Sequence, residues 1–259
     1  MCEYKLSVIT INYNNCKGLK RTIESVVNQT NEDFEFIIID GGSTDGSVDL
    51  INEYENKIDY WVSEADGGIY HAMNKGIAQA HGKYLNFMNS GDCFYEVETL
   101  DKVFSEICDQ DYIVGIAFVP NEKNKLWKPV KKDFSLLDVY CGGQANHQSS
   151  FIKREILKEG YDLKFRIIAD ELFFVEKIIF QGYTYLPINI IVCEYDCTGI
   201  SSQSGKIVKQ ERKRFYREKL SPRIISDYDR FYLTRRVLPS IQKVISVLRG
   251  IYMKIRKIR

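Results

Sequence analysis

Histidine is scarce in this chain, with 3 among 259 residues, and no two of them stand at the spacing of a metal-ligand pair. The 7 cysteines are odd in number and include no C-x-x-C pair, which argues against a disulfide framework and a thiolate zinc site. They read as inert small apolar residues. No apolar run approaches the roughly 18–20 residues needed to cross a bilayer. Residues 1–20 lack the basic start and apolar centre of a signal peptide, so the expectation is a protein kept in the cytosol. Also missing is Gly-x-Gly-x-x-Gly after the first apolar strand. That turn reads Asn12-Tyr13-Asn14-Asn15-Cys16-Lys17-Gly18, too bulky for a pyrophosphate to approach the backbone as it does in dinucleotide-binding dehydrogenases. A P-loop Gly-Lys-Ser/Thr is absent as well. Neither repeats nor a disordered composition intervene: 44% hydrophobic and 27% charged residues give ample core for one large or two ordinary domains.

The formal net charge of +1 hides a partition. Residues 206–259 hold 17 Lys and Arg against 4 Asp and Glu, a net of +13, which leaves −12 for residues 1–205. The expectation is an acidic globular body over 1–205, itself divided into 1–92 and 93–205, followed by a basic tail over 206–259.

Within the body, short β-branched runs alternate with helical apolar stripes. Leu6 to Ile11, Phe34 to Ile39, Ile58 to Val62 and Tyr84 to Met88 read as strands. Leu19, Ile23, Val26 and Val27 mark a helix, and further helices are expected over about 47–55 and 69–80. Strands alternating with helices imply an α/β fold with a parallel sheet covered on both faces. Each strand ends in a polar loop, and three of those loops hold an aspartate: Asp40, Asp66 and Asp92. Parallel strands place all three at one sheet edge, where ligands of open α/β sheets bind. The loop Asn89-Ser90-Gly91-Asp92 is either an ordinary turn of favoured turn residues or the delivery of Asp92 to a site. Likewise, each aspartate either caps a following helix or accepts hydrogen bonds from a nucleotide. Tyr13 offers a ring against which a base can stack.

At this point a resemblance becomes specific. Ser7-Val8-Ile9-Thr10-Ile11-Asn12-Tyr13-Asn14, Thr22 to Thr30, and Ile39-Asp40-Gly41-Gly42-Ser43-Thr44-Asp45-Gly46 resemble the start of family 2 glycosyltransferases of the GT-A fold. Glu64-Ala65-Asp66-Gly67-Gly68-Ile69-Tyr70-His71-Ala72-Met73-Asn74-Lys75-Gly76 and Asn89-Ser90-Gly91-Asp92 are similar to the branch that builds bacterial surface polysaccharides of the colanic-acid type. The likeness spans about residues 1–200. It implies a nucleotide-diphosphate sugar donor, UDP-linked, an inverting transfer to a saccharide or lipid-linked glycan, and a divalent metal ion, Mn2+ or Mg2+. By this resemblance Thr10, Tyr13, Asp40 and Asp66 fall where the family holds the uridine, and Asn74 and Lys75 near the donor phosphates or sugar. The family's metal motif is Asp-x-Asp. Here Asn89 and Gly91 replace carboxylates and leave Asp92 as the one acid for the metal, sufficient for a hard cation bound mainly through diphosphate oxygens.

The second half is expected to supply the acceptor side. A helix over 97–108, a strand over 112–119 and the basic stretch 123–132 precede Asn146-His147-Gln148-Ser149-Ser150, which resembles the family's His-Gln-Ser segment. His147 is either a hydrogen-bonded structural residue or part of the acceptor site. Ile167-Ile168-Ala169-Asp170-Glu171 opens a helix expected to reach about Gln181. The resemblance makes Asp170 the general base, with Glu171 its rival, since adjacent helical residues point about 100° apart and one alone faces a cleft. Residues 198–205 read as a flap over the donor or as a linker. In the tail, Ile241, Val244, Ile245, Leu248, Ile251, Tyr252, Ile255 and Ile258 share one helical face flanked by basic residues. That pattern is a peripheral anchor on the inner face of the cytoplasmic membrane, or a helix that packs on the body or in a homodimer. Two other functions stay open: a catalytically inactive nucleotide-sugar-binding protein, and nucleic-acid binding through the tail, against which no RNA-binding motif occurs.

Overall fold

The computed structural model describes residues 5–107, 109–120, 123–142, 145–197, 199 and 204–234. Most of the flap segment at 198–203 and the apolar face at 241–258 lie outside the described residues. The first half is built as its periodicity requires. Strands β1 (Leu6–Asn12), β2 (Phe34–Asp40), β3 (Tyr60–Ser63) and β4 (Tyr84–Phe87) pair in parallel in the order β3-β2-β1-β4. Helices α1 (Cys16–Val27), α2 (Ser47–Glu53) and α3 (Ile69–Gln79) make the crossovers. Side chains that alternate along a strand feed two cores. Ile9, Ile37, Ile39, Leu85 and Phe87 join Tyr70, Met73 and Ile77 of α3 on one face. Leu6, Val8, Phe36, Ile38 and Tyr84 join Leu19, Ile23 and Val26 of α1 on the other. Fully burying each such side chain is worth about 1.5–3 kcal/mol. Gly76 allows α3 its close seat on β1, since a Cβ there would come within 2.5 Å of Ile9 Cγ2.

Beyond residue 92 the sheet becomes mixed. The remaining elements are β5 (Cys93–Phe94), α4 (Thr99–Glu106), β6 (Tyr112–Val119), β7 (Lys125–Trp127), α5 (Leu136–Tyr140), β8 (Ser150–Lys153), α6 (Arg154–Leu157), α7 (Ala169–Val175) and β9 (Tyr185–Glu194). The helix at α7 continues as one π-helical segment, Glu176–Phe180. Strand β8 pairs antiparallel with β4, and β6 antiparallel with β8. Strand β9 runs parallel to β6 and antiparallel to β5. The sheet order is therefore β3-β2-β1-β4-β8-β6-β9-β5, with β7 paired to β6.

The basic segment after residue 205 begins as helix α8 (Gly205–Lys219), which is docked rather than loose: Phe215 and Tyr216 are buried in the core that α3 and α7 share. A further helical stretch, α9 (222–234), follows.

Candidate active site

The polar loops after β1 to β4 meet at one sheet edge, as parallel strands demand, and the second half closes over them. Between the two lies a cavity of about 1270 Å³ whose lining includes Tyr13, Asp66, Asp92, His147, Asp170 and Asp196. Five of these belong to the residues singled out in the sequence. Thr10, Asp40, Asn74 and Lys75 do not line it.

Asp40 sits beneath the cavity, fully buried. It accepts hydrogen bonds from Asn12 Nδ2 (2.7 Å), Ser63 Oγ (2.6 Å), Ser43 Oγ (2.5 Å) and the amides of Gly42 (3.1 Å) and Ser43 (2.8 Å). Burial works to raise its pKa, but these donors outweigh it and hold the carboxylate below its ordinary value. Its visible work is to tie β1, β2 and β3 together at the edge. Thr10 is buried and donates to the Met88 carbonyl (2.7 Å). Asn74 clamps the Tyr161 backbone from both sides, accepting from its N–H (2.7 Å) and donating to its C=O (2.9 Å). Lys75 pairs with Glu64 (2.8 Å). Asp66 accepts from Gly68 N (2.8 Å), which shapes the start of α3, and Tyr13 is 67% exposed beside the cavity.

The turn carrying Asp92 is fixed from α1. Thr22 Oγ1 donates to the Asp92 carbonyl (2.6 Å) and accepts from Gly91 N (3.0 Å). Gly91 takes φ +107°, a left-handed conformation that favours glycine, and a Cβ there would press within 2.9 Å of Asp196 Oδ2. The antiparallel β5–β9 pairing sets Cys93 opposite Glu194 and so brings Asp196 to Asp92, whose Oδ1 accepts the Asp196 N–H (2.7 Å). Burial first, and then the nearby Asp196 charge, push the Asp92 carboxyl up to about 8. Asn89 Oδ1, in the same turn and lining the same cavity, is buried without a hydrogen-bond partner. Among the described residues no cluster of three or more His, Cys, Asp or Glu side chains stands ready for a metal ion. The donor set at this turn is nevertheless all oxygen: two carboxyl groups and an unsatisfied amide carbonyl. That chemistry fits a hard cation that draws its other ligands from a diphosphate.

Across the cavity Asp170 occupies the first turn of α7, and the buried Tyr70 hydroxyl donates to its Oδ1. Burial and the Asp170 charge hold Tyr70 well above its usual pKa, so it stays a neutral donor. Glu171 lines the same cavity, contrary to the expectation that one of the two acids alone would face it, but it is gripped by Arg212 of α8 through Nε (2.9 Å) and Nη2 (2.8 Å). Its pKa is raised by burial even so. His147 stacks on Phe87 (centroids 4.7 Å apart), its Nε2 lies 2.8 Å from the Tyr161 hydroxyl, and burial lowers its pKa. That is a neutral, packed imidazole at the cavity wall.

Sequence reading passed over Tyr70, Asp196 and Arg212. Asp196 carried a signal of the same kind as Asp92, an acid just past a strand end, but its meeting with Asp92 bridges 104 positions and depends on strand pairing. Arg212 stood unremarked in a generally basic segment.

A parallel first half joined through a shared cleft to a mixed second half is the architecture of GT-A glycosyltransferases. The family model described as glycosyl transferase family 2 matches residues 7–182, and the chain belongs to that family. An uncharacterized glycosyltransferase of Mycobacterium tuberculosis is 35% identical over 214 residues, covering 76% of this chain and 77% of the relative. The PGL/p-HBAD biosynthesis glycosyltransferase of Mycobacterium bovis is 28% identical over 219 residues, covering 82% and 83%. Among solved structures, Staphylococcus aureus TarS 1-349 in complex with UDP superposes with a TM-score of 0.61 at 21% identity. That match covers 74% of this chain, which spans only 60% of the TarS chain. The mannosyltransferase PcManGT of Pyrobaculum calidifontis, in complex with GDP-Man and Mn2+, has a TM-score of 0.61 at 17% identity, covering 83% of this chain and 64% of its own.

Proposed function

We propose that this chain is an inverting, hexosyl-type glycosyltransferase that moves a sugar from a UDP-linked donor to a saccharide or lipid-linked glycan acceptor in the synthesis of a bacterial surface polysaccharide. The observation that carries the reading is the placement of Asp170 and Asp92 on the lining of one cavity, together with the exposed Tyr13 ring and Asp66. Tyr13 and Asp66 hold the base and ribose of the donor. Asp40 acts one layer below, keeping the loops that carry them in place. Asp170 accepts the proton of an acceptor hydroxyl while that oxygen forms its bond to the anomeric carbon. The bond from that carbon to the donor phosphate oxygen breaks, and the nucleoside diphosphate leaves with the electron pair. Tyr70 orients the carboxylate for this task. Asp92, Asp196 and Asn89 Oδ1 would hold Mn2+ or Mg2+, which, when bound, offsets charge on the departing diphosphate. Work on a lipid-linked acceptor places the enzyme at the inner face of the cytoplasmic membrane.

A thermal-shift screen of nucleoside diphosphate sugars, with and without Mn2+, tests the reading. A ligand bound only by the native state at 100 times its Kd adds about 2.7 kcal/mol of stability. The expected result is a UDP-sugar shift enlarged by Mn2+. No shift with any nucleotide sugar would remove the donor assignment.

A further inference from the structure

Beside the active-site cavity lies a second one of about 350 Å³, and the two share Gly142 and Arg212 in their linings. One wall is a single face of α8: Lys209, Arg212, Lys213, Tyr216 and Arg217 follow at spacings of three, one, three and one, the stripe that a helix turns to one side. Arg212 is tied to Glu171. Lys209, Lys213 and Arg217 form no ion pair among the described residues, whereas elsewhere on α8 Arg214 pairs with Glu218 and Lys219 with Glu176. The one acid in the lining is Asp229, whose Oδ1 accepts from the Tyr140 hydroxyl (2.6 Å).

A solvated basic helix face would explain the lysines but not Tyr216. The residue is 3% exposed and belongs to the core, and its hydroxyl is buried without a hydrogen-bond partner among the described residues although the residue lines this cavity. A buried hydroxyl left unpaired is costly, and a ligand oxygen reaching into the cavity would satisfy it. Four cations around such a donor select an anion with several oxygens, and arginine and lysine together are the usual partners of a phosphoryl group. Apart from Asp229 nothing in the lining repels one.

We propose that this pocket binds a phosphate or diphosphate group carried by the acceptor, so that the acceptor's sugar hydroxyl reaches Asp170 past Arg212. The assignment rests on the glycosyltransfer reading above and adds the chemical class of acceptor to it. A lipid-borne diphosphate and a soluble phosphorylated saccharide share the chemistry that the pocket recognises.

The test is calorimetric titration of the full chain, held in saturating UDP and Mg2+ to block the donor site, with inorganic pyrophosphate and with geranyl diphosphate. One equivalent of each is expected to bind. The double variant Lys213→Ala/Arg217→Ala is expected to weaken both by at least about tenfold, and Tyr216→Phe severalfold, with UDP affinity and melting temperature unchanged. Tyr216→Phe keeps the ring and removes only the hydroxyl, so it separates ligand contact from packing. Absence of binding in the presence of UDP, or variants that bind as the wild type does, overturns the proposal. Tighter binding of geranyl diphosphate supports a lipid-borne group; equal affinity overturns the lipid source. The donor reading fails separately: UDP that does not bind at all refutes it, whatever pyrophosphate does.

Discussion

Asp170 and Glu171 show how two adjacent carboxylates are given different work by what each one touches. Glu171 is held in a two-point grip by Arg212 and does structural duty between α7 and α8. Both acids line the cavity, but Asp170, a residue earlier and about 100° around the helix, has no ion pair among the described residues and accepts from the Tyr70 hydroxyl at its Oδ1. Asp170→Asn is therefore expected to lower kcat by about 10²–10⁴-fold, the typical contribution of a general base. Affinity for the UDP-sugar should be unaffected, and near-normal turnover would take Asp170 out of that role. Asn74 is expected to behave in the opposite way. Both polar ends of its amide are spent on the Tyr161 backbone, so Asn74→Ala strands a buried N–H and C=O at about 1–3 kcal/mol each. Paired thermal melts and UDP-sugar titrations should show a lower melting temperature with unchanged affinity. A stable variant with weakened donor binding would instead place Asn74 at the donor phosphates, as the family resemblance implies.

Among the elements, α7 is entered through a turn held by a distant partner. Its N-cap residue, Ile168, has no side chain to accept the free amides that open a helix. Glu211 of α8, 8% exposed, reaches across to accept from Arg166 N (2.6 Å), Ile167 N (3.1 Å) and Ile168 N (3.2 Å). Glu211→Ala should thus unsettle the turn that carries Asp170. We expect a loss of about 1–3 kcal/mol, which at about 2–4 °C per kcal/mol is readable in a melt, and a fall in kcat larger than any change in donor KM. Glu211→Gln keeps one acceptor oxygen and should lie between; an alanine variant with wild-type melting and kcat would dismiss Glu211 as the brace of the turn before α7. This element also marks where the sequence ceased to be readable. The parallel strands and their polar ends were legible because β-branched runs bounded by Gly, Asn and Asp are local signals, and Tyr13, Asp66, Asp92, His147 and Asp170 do share one cavity. The partners that fix those residues come from far along the chain: Glu211 to α7, Asp196 to Asp92, Tyr70 to Asp170. Periodicity carries no record of such meetings. Asp40 by its place at the sheet edge, and Thr10 by the family resemblance, were expected at the uridine, yet hydrogen bonding to neighbouring loops and strands uses them, and neither lines the cavity.

For the whole molecule the division of charge acquires a structural meaning. Part of the basic excess after residue 205 is spent against the acidic body, through Arg212 to Glu171 (2.8 Å) and Lys219 to Glu176 (2.7 Å). Residues 235–259 contribute a further 8 Lys and Arg and no Asp or Glu, in the segment whose apolar positions recur at helical spacing. A basic juxtamembrane residue gains about 1 kcal/mol at an anionic lipid surface, and burial of an apolar helix face adds to that. Phe215 and Tyr216 of α8 are buried in a core built from residues before 235, so a chain ending at residue 234 should keep its fold and its donor affinity. In co-sedimentation with vesicles containing anionic lipid, the full chain should pellet and the chain ending at 234 should stay in solution. Raising the salt to shrink the Debye length from about 10 Å toward 3 Å should release the electrostatic share of the binding. Equal partition of the two chains would assign membrane contact, if any occurs, to the body, and would leave the last 25 residues to pack on the enzyme or on a second copy of it.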